Sequence, residues 1–303
     1  MDKVQVLMSS YNGEKYIEEQ IDSILKQVGV DIQLFIRDDG STDKTIQIIR
    51  KKSREYPKKI QLICGHNMGY KKSFMDLVYM CPDFYDYYAF ADQDDVWLKD
   101  KVQKGIEQIK KEDSKYPVLY YGMMTQVDNK LCVMKDQQNF KAVPNYKMIL
   151  FQNFAQGSTI IFNNSLLVMI KKYKANFEVA HDIWLPLVAD FTGKVIGDKN
   201  SYILYRRHSS AVTVKMHNKY WYDLIKAIFR GKIVPNYAIP LLEGYSGYIS
   251  SEKKEYLKQL LDYKKYNNKL NLLLDKMVRK NTLKGTILLK MAIMFNRLDD
   301  KVE

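Results

Sequence analysis

Tyr87-Tyr88-Ala89-Phe90-Ala91-Asp92-Gln93-Asp94-Asp95-Val96-Trp97 joins a short apolar run to three carboxylates within four residues. The run reads as a buried strand. Like charges gathered at a strand end repel one another, and a divalent cation held by hard oxygen ligands relieves that repulsion while offering positive charge to a diphosphate. An acidic turn capping the helix that carries Val102 and Ile106 would give the same local pattern with no ligand at all. The neighbouring segments have to decide between the two.

Working outward, three units of strand, polar loop and helix precede this stretch. Val4 to Met8 is apolar and is followed by Ser9-Ser10-Tyr11-Asn12-Gly13, which is turn chemistry. Ile17, Ile21, Ile24, Leu25 and Val28 then recur at helical spacing, with Glu14, Glu18 and Glu19 at the end where the helix dipole favours acid. A second strand, Ile32 to Ile36, runs into Arg37-Asp38-Asp39-Gly40-Ser41-Thr42-Asp43, and a third, Ile60 to Cys64, into Asn67-Met68-Gly69 and a helix from Lys72 to Tyr79. This rhythm predicts an α/β fold with a mainly parallel sheet and helices on both faces, whose ligands sit beyond the carboxyl ends of the strands. Ser9 to Asn12, Asp38-Asp39 and Asp92 to Asp95 should therefore share one rim. Ordinary capping duty is expected for at least one of Asp38 and Asp39, beside their Gly-Ser-Thr turn.

Further on, Val118 to Tyr121 and Ser158 to Phe162 read as strands with Asn153 to Gly157 a loop between them; His181-Asp182-Ile183-Trp184 opens a helix and Tyr205-Arg206-Arg207-His208 closes a strand. Beyond Val214 the pattern turns helical and lysine-rich. We therefore divide the chain into a catalytic region, 1–213, and a basic, mainly helical region, 214–303. No repeat or low-complexity tract interrupts them.

These residues resemble glycosyltransferase family 2, whose nucleotide-diphospho-sugar (GT-A) fold begins with a strand, a Ser-Tyr-Asn turn and a second strand ending in Asp-Asp-Gly-Ser-Thr-Asp. Here those are Ser10-Tyr11-Asn12 and Asp38 to Asp43, and the match runs on through Asn67-Met68-Gly69, Asp92 to Trp97, His181 to Trp184 and Tyr205 to His208. The last three are most similar to the rhamnosyltransferase-like branch that builds bacterial surface polysaccharides. The resemblance implies an inverting transferase moving a sugar from a UDP or dTDP donor to a glycan or lipid-linked acceptor. It implies Asp39 at the nucleobase, Ser9, Tyr11 and Asn12 lining the donor pocket, Asp92 at the ribose or sugar, Asp94 on Mg²⁺ or Mn²⁺, and Asp182 as catalytic base. Where branch members often carry an Asn-rich turn after the last His, this chain has Ser209-Ser210-Ala211-Val212-Thr213, so His208 is read either as a metal or diphosphate contact or as a buried strand-end histidine.

The chemistry agrees with that division of labour. Displacing a nucleoside diphosphate from an anomeric carbon creates charge on the leaving oxygen and requires a proton to be taken from the incoming hydroxyl. Lys72, with Lys71, is read as meeting the donor phosphates or as part of a solvated pair on a helix. His181 is expected to position Asp182, His66 and His217 to lie at the surface, and Trp97 and Trp184 to belong to the core.

Composition bounds the partners. With 303 residues and 46% hydrophobic side chains the chain can build a sizeable core, and its net charge of +13 calls for an anionic partner. From Val214 onward 18 Lys and Arg face 9 Asp and Glu, so most of the excess lies in the C-terminal part. There Tyr220-Trp221, Ile225, Ile228-Phe229 and Ile287 to Phe295 alternate with Lys226, Arg230, Lys232, Lys284, Lys290 and Arg297, a pattern fitting either an anionic membrane surface or packing on the catalytic region or on a second copy in a homo-oligomer. Cys64, Cys81 and Cys132 have no partner motif and are expected to be buried in a protein of a reducing compartment. With no signal-peptide pattern or spanning run, a cytoplasmic location is expected, peripheral on the inner membrane face if the basic part binds lipid. A nucleotidyltransferase would want a Gly-rich basic loop after the first strand, which Ser9 to Glu14 does not supply. Nucleic acid is suggested by charge alone and is not expected as a partner; a non-catalytic sugar-nucleotide binder would have no use for both Asp94 and Asp182.

Overall fold

The computed structural model describes residues 1–135, 143–207 and 234–299. His208, with the segment 208–233 that holds Tyr220, Trp221 and their lysines, lies outside the described residues. The chain begins β1 (Asp2–Ser10), α1 (Ile17–Leu25), β2 (Val30–Asp38), α2 (Thr45–Glu55), β3 (Ile60–Cys64), α3 (Tyr70–Met80) and β4 (Tyr87–Ala91). It continues β5 (Val96–Trp97), α4 (Lys101–Ile109), β6 (Val118–Val127), α5 (Tyr146–Ile149), β7 (Ile161–Asn163), α6 (Asn164–Lys171), α7 (His181–Thr192) and β8 (Lys194–Arg206). After β9 (Val234–Pro235) come α8 (Ala238–Tyr245), α9 (Ser251–Leu261), α10 (Tyr266–Leu274), α11 (Leu283–Met294) and β10 (Leu298–Asp299).

Among the described residues, eight strands form one sheet in the order β3-β2-β1-β4-β7-β6-β8-β5. β3, β2, β1 and β4 run parallel, whereas β7 is antiparallel to both β4 and β6, and β5 is antiparallel to β8. Strand alternation assigns side chains to the two faces: Val4, Val6 and Met8 of β1 enter one core with Ile17, Ile21 and Ile24 of α1 and Val102 and Ile106 of α4, while Leu7 enters the other with Phe74 and Leu77 of α3 and Trp184 of α7. Crossovers that bury both faces in this way explain why these strands read as near-continuous apolar runs.

The second core also takes in Leu241, Tyr245, Leu257, Leu260, Leu272, Leu289 and Ile293, so α8 to α11 share apolar side chains with α7. Trp97 and Trp184 are core residues, as expected. The cysteines correct the expectation in part: Cys81 is buried, but Cys64 and Cys132 are exposed. Cys64 ends an edge strand and Cys132 follows a turn, positions where a residue leaves the core irrespective of its polarity. No helix among the described residues is long and apolar enough to cross a membrane.

Candidate active site

Register sets the rim. Ser9 lies beside Arg37, Ser10 beside Asp38, Asp38 beside Cys64 and Met8 beside Ala91, so the polar residues that follow β1, β2 and β4 emerge at one level.

Of the two carboxylates after β2, Asp38 builds the turn. It is fully buried and receives the hydroxyl of Ser10 at 2.9 Å and both the amide and the hydroxyl of Ser41, at 2.8 and 2.6 Å. Asp39 receives the Arg37 guanidinium at 2.5 Å and the amides of Met68 and Gly69 at 3.0 and 2.9 Å. A carboxylate has roughly four acceptor positions; among the described residues these three donors leave one. Arg37 was not singled out in the sequence. It is buried, also donates to Ser73 and Asp76, and Ser73 in turn shares a 2.6 Å hydrogen bond with Ser9. One network thus fixes Ser9 and Asp39 together.

Tyr11 and Asn12 sit on an exposed turn. Asn12 has a left-handed backbone (φ 49°), its side-chain oxygen accepts the Thr42 amide at 2.9 Å, and its own amide donates to Ser41, so its main duty is to join two loops. Tyr11 is clasped by Gln93, whose side chain accepts the Tyr11 amide at 2.8 Å and donates to its carbonyl at 2.9 Å. Gln93 therefore ties the acidic turn to the Ser-Tyr-Asn turn, and a Cβ on Gly13 would stand 2.3 Å from the Gln93 oxygen, so a side chain there would displace this clasp.

Asp92, Asp94 and Asp95 form an electrostatically loaded centre. Burial, then the charges of Asp94 and Asp182, push the Asp92 carboxyl up to about 7. Burial, with Asp92 and Asp94, also raises Asp95 well above the usual carboxylate range; its Oδ1 accepts the Arg206 amide at 3.1 Å and its Oδ2 has no partner among the described residues. Behind it lies the buried Lys101, its amine 3.6 Å over the Trp97 ring and drawn down by burial to about 7. Among the described residues no group of three or more His, Cys, Asp or Glu could hold a metal ion. The mutual repulsion at Asp92 and Asp94 fits a divalent cation completed by a diphosphate better than one caged by protein alone.

Arg206 braces this centre from the end of β8. It is buried and donates from Nε to the Asp94 carbonyl at 2.9 Å, from Nη1 to the Asn129 carbonyl at 2.8 Å and from Nη2 to Glu19 at 2.6 Å, with its guanidinium over Tyr16. Five planar N–H donors make arginine suited to such a multi-way strut. The sequence showed Arg206 as part of a motif without revealing this role.

Across the rim stands Asp182, in the first turn of α7. Its Oδ2 accepts the Asn153 amide at 2.8 Å, and Pro186, having no N–H, cannot close a helix bond on its carbonyl. Burial, then the charges of Asp182, Glu178 and Asp92, raises the Tyr70 hydroxyl. His181 turns away from the rim. Its ring lies 4.1 Å from Phe74 and 4.3 Å from Phe90, both nitrogens lack a partner among the described residues, and burial lowers it to about 4. A Cβ on Gly157 would reach within 2.4 Å of its Nε2, so a side chain at 157 would clash with this buried ring. Lys72 and Lys71 are both paired with Glu178, at 3.5 and 3.3 Å.

A parallel half-sheet whose strand ends carry Asp39, Asp92 and Asp94, with a carboxylate opposite, can hold a nucleotide and take a proton. The sequence profile of glycosyl transferase family 2 matches residues 5–167. The chain belongs to glycosyl transferase family 2. The dTDP-rhamnosyl transferase RfbG of Shigella flexneri is 32% identical over 67% of this chain and 72% of its own length. An uncharacterised glycosyltransferase of Rickettsia prowazekii is 23% identical over 76% of this chain and 74% of its own. Solved structures agree on the fold. S. aureus TarS 1-349 in complex with UDP aligns with a TM-score of 0.53 over 90% of this chain and 75% of its own, at 17% identity. The mannosyltransferase PcManGT of Pyrobaculum calidifontis, in complex with GDP-Man and Mn²⁺, gives 0.51 over 96% and 73%, at 14% identity. The expected GT-A fold is thereby established, with a sheet that is mixed rather than wholly parallel.

Proposed function

We propose that this family 2 glycosyltransferase transfers a sugar, rhamnose foremost, from a dTDP or UDP donor to a hydroxyl of a glycan or lipid-linked acceptor, with inversion at the anomeric carbon. The observation that carries the reading is the presence of two separate acidic groups, Asp92 with Asp94 just beyond β4 and Asp182, held by Asn153, in the first turn of α7, with the Asp182 charge adding to the rise of Asp92. The likeness to RfbG supports the choice of donor sugar.

The base lies against Asp39, whose remaining acceptor position takes a ring N–H, with Ser9 and Tyr11 at its edge. Asp92 accepts from a ribose or sugar hydroxyl. Asp94, held through its carbonyl by Arg206, presents its carboxylate toward the diphosphate. Asp94 would hold Mn²⁺ or Mg²⁺, which when bound would neutralise the charge that develops on the leaving oxygen. Asp182, oriented by Asn153, accepts the proton of the acceptor hydroxyl as its oxygen forms a bond to the anomeric carbon and the bond from that carbon to the phosphate oxygen breaks. Attack from the face opposite the leaving group inverts the centre in one displacement. Lys71 and Lys72 approach the phosphates only by giving up Glu178.

A panel of dTDP- and UDP-sugars with Mn²⁺ or Mg²⁺, read by thermal shift, tests the proposal, since a ligand selective for the native state raises the melting temperature. A shift with dTDP-rhamnose and metal is expected. No shift with any nucleotide and metal would overturn the reading.

A further inference from the structure

Helix α11 is apolar on two opposite sides. Gly285, Leu289, Ala292 and Ile293 are buried toward the core, yet Leu283, Ile287 and Met294, half a turn away, are 78, 50 and 48% exposed. Beside it, α10 buries Leu272 and turns outward Tyr266, Leu270 and Leu274, at 77, 40 and 70% exposure and helical spacing. Both helices rest on the same core, and the Lys290 amine of α11 donates to the carbonyls of Leu272 and Asp275 at the end of α10. The two helices are thus tied side by side, and each turns an apolar side to solvent. A helix that is apolar all round is normally covered on every side, and a contiguous apolar patch ringed by polar groups marks an interaction site.

The charge around the patch selects what covers it. From 262 to 298 the chain carries nine Lys and Arg against two Asp. Of those two, Asp262 is paired with Lys265 at 2.8 Å and Asp275 with Lys147 at 2.6 Å. Two copies joined face to face by a two-fold axis would bring the same positive surfaces together. An anionic lipid surface offers the opposite charge and an apolar boundary at once. We propose that the α10–α11 face seats the protein on an anionic lipid bilayer, with Tyr266, Leu274, Leu283 and Ile287 entering the headgroup boundary and Lys269, Lys276, Arg279 and Lys284 meeting lipid phosphates.

The face is joined to the rim by a short path. Asn281, two residues before Leu283, accepts from and donates to the Gln152 side chain at 3.2 and 2.8 Å, and the next residue, Asn153, holds Asp182. If Asp182 is the base, the bilayer lies on its side of the cleft, where a lipid-linked hydroxyl would arrive. That consequence rests on the proposed function; lipid binding itself does not.

Vesicle flotation of the full chain separates the outcomes, using phosphatidylcholine alone and phosphatidylcholine with about 30% phosphatidylglycerol. The protein should float with the anionic vesicles only, and less so as salt rises. The triple variant Leu274→Gln/Leu283→Gln/Ile287→Gln changes exposed side chains, so its melting temperature should stay near that of the parent while vesicle binding falls at least tenfold. Absence of binding to anionic vesicles, or binding undiminished in the triple variant, overturns the proposal. So does a parent that is dimeric by analytical ultracentrifugation and becomes monomeric in the triple variant.

Discussion

Replacing His181 by leucine should stabilise the protein, and more so in acid. The imidazole lies between Phe74 and Phe90 with both nitrogens unpartnered among the described residues. Leaving a buried polar group unsatisfied costs about 1–3 kcal/mol, whereas the ring contacts it makes return about 0.5–1.5 kcal/mol. Leucine, near the same volume, should therefore gain roughly 1 kcal/mol at pH 7.5. The ring's proton affinity adds a pH-dependent part. Burial holds His181 at about 4, against an ordinary value of 6.5. The unfolded chain then binds the extra proton throughout that window, so the stability linked to the neutral ring is fully present above pH 6.5 and is lost as pH falls toward 4. By pH 5 the loss amounts to about 2 kcal/mol. Asp92, raised to about 7, pulls the whole-protein profile the other way, because its folded form takes up a proton before the unfolded one does. The difference between His181→Leu and the parent cancels that contribution. Urea unfolding at pH 7.5 and 5.0 should show the variant's advantage growing from about 1 to about 3 kcal/mol. A difference that is independent of pH, or one that favours the parent, would refute the neutral, unpartnered imidazole.

Arg206→Met removes three side-chain hydrogen bonds from a buried guanidinium, and a loss of about 3 kcal/mol is expected, seen as a fall of roughly 6–10 °C in thermal melting. Arg206→Lys should recover less than half of it, because an ammonium cannot reproduce the fork. Gly157→Ala drives a Cβ into the His181 ring and should cost about 1–3 kcal/mol, read by urea unfolding, with much of the cost absent in a His181→Ala background. Asp94→Ala should weaken donor binding in Mn²⁺ by at least tenfold in calorimetry while leaving metal-free nucleotide binding within about twofold.

The rhythm of apolar runs and polar strand ends made the half-sheet β3-β2-β1-β4 legible, because parallel strands buried on both faces leave little room for other patterns. It also brought Asp39, Asp92 and Asp94 to one rim. The other half was harder to read. β7 has only three residues and β5 only two, and both enter through long-range antiparallel pairing that no local period announces. The residues that hold the site in shape were the least legible. Arg37, Gln93, Asn153 and Arg206 act through partners from 2 to 187 positions away, and their roles follow from the folded geometry rather than from their neighbours in sequence. His181 was legible as a neighbour of Asp182 but not as a ring wedged between two phenylalanines.

The central claim is the division of labour between Asp94 and Asp182, and Asp182→Asn tests it most directly, because the amide keeps the shape and cannot accept a proton. Sugar transfer and donor binding should be measured on the same preparation with dTDP-rhamnose and Mn²⁺. Donor affinity should remain within about twofold of the parent while transfer falls by about a hundredfold or more, the cost of a lost general base. Transfer at the parental rate, or loss of donor binding in step with transfer, would contradict the assignment of Asp182 as the base.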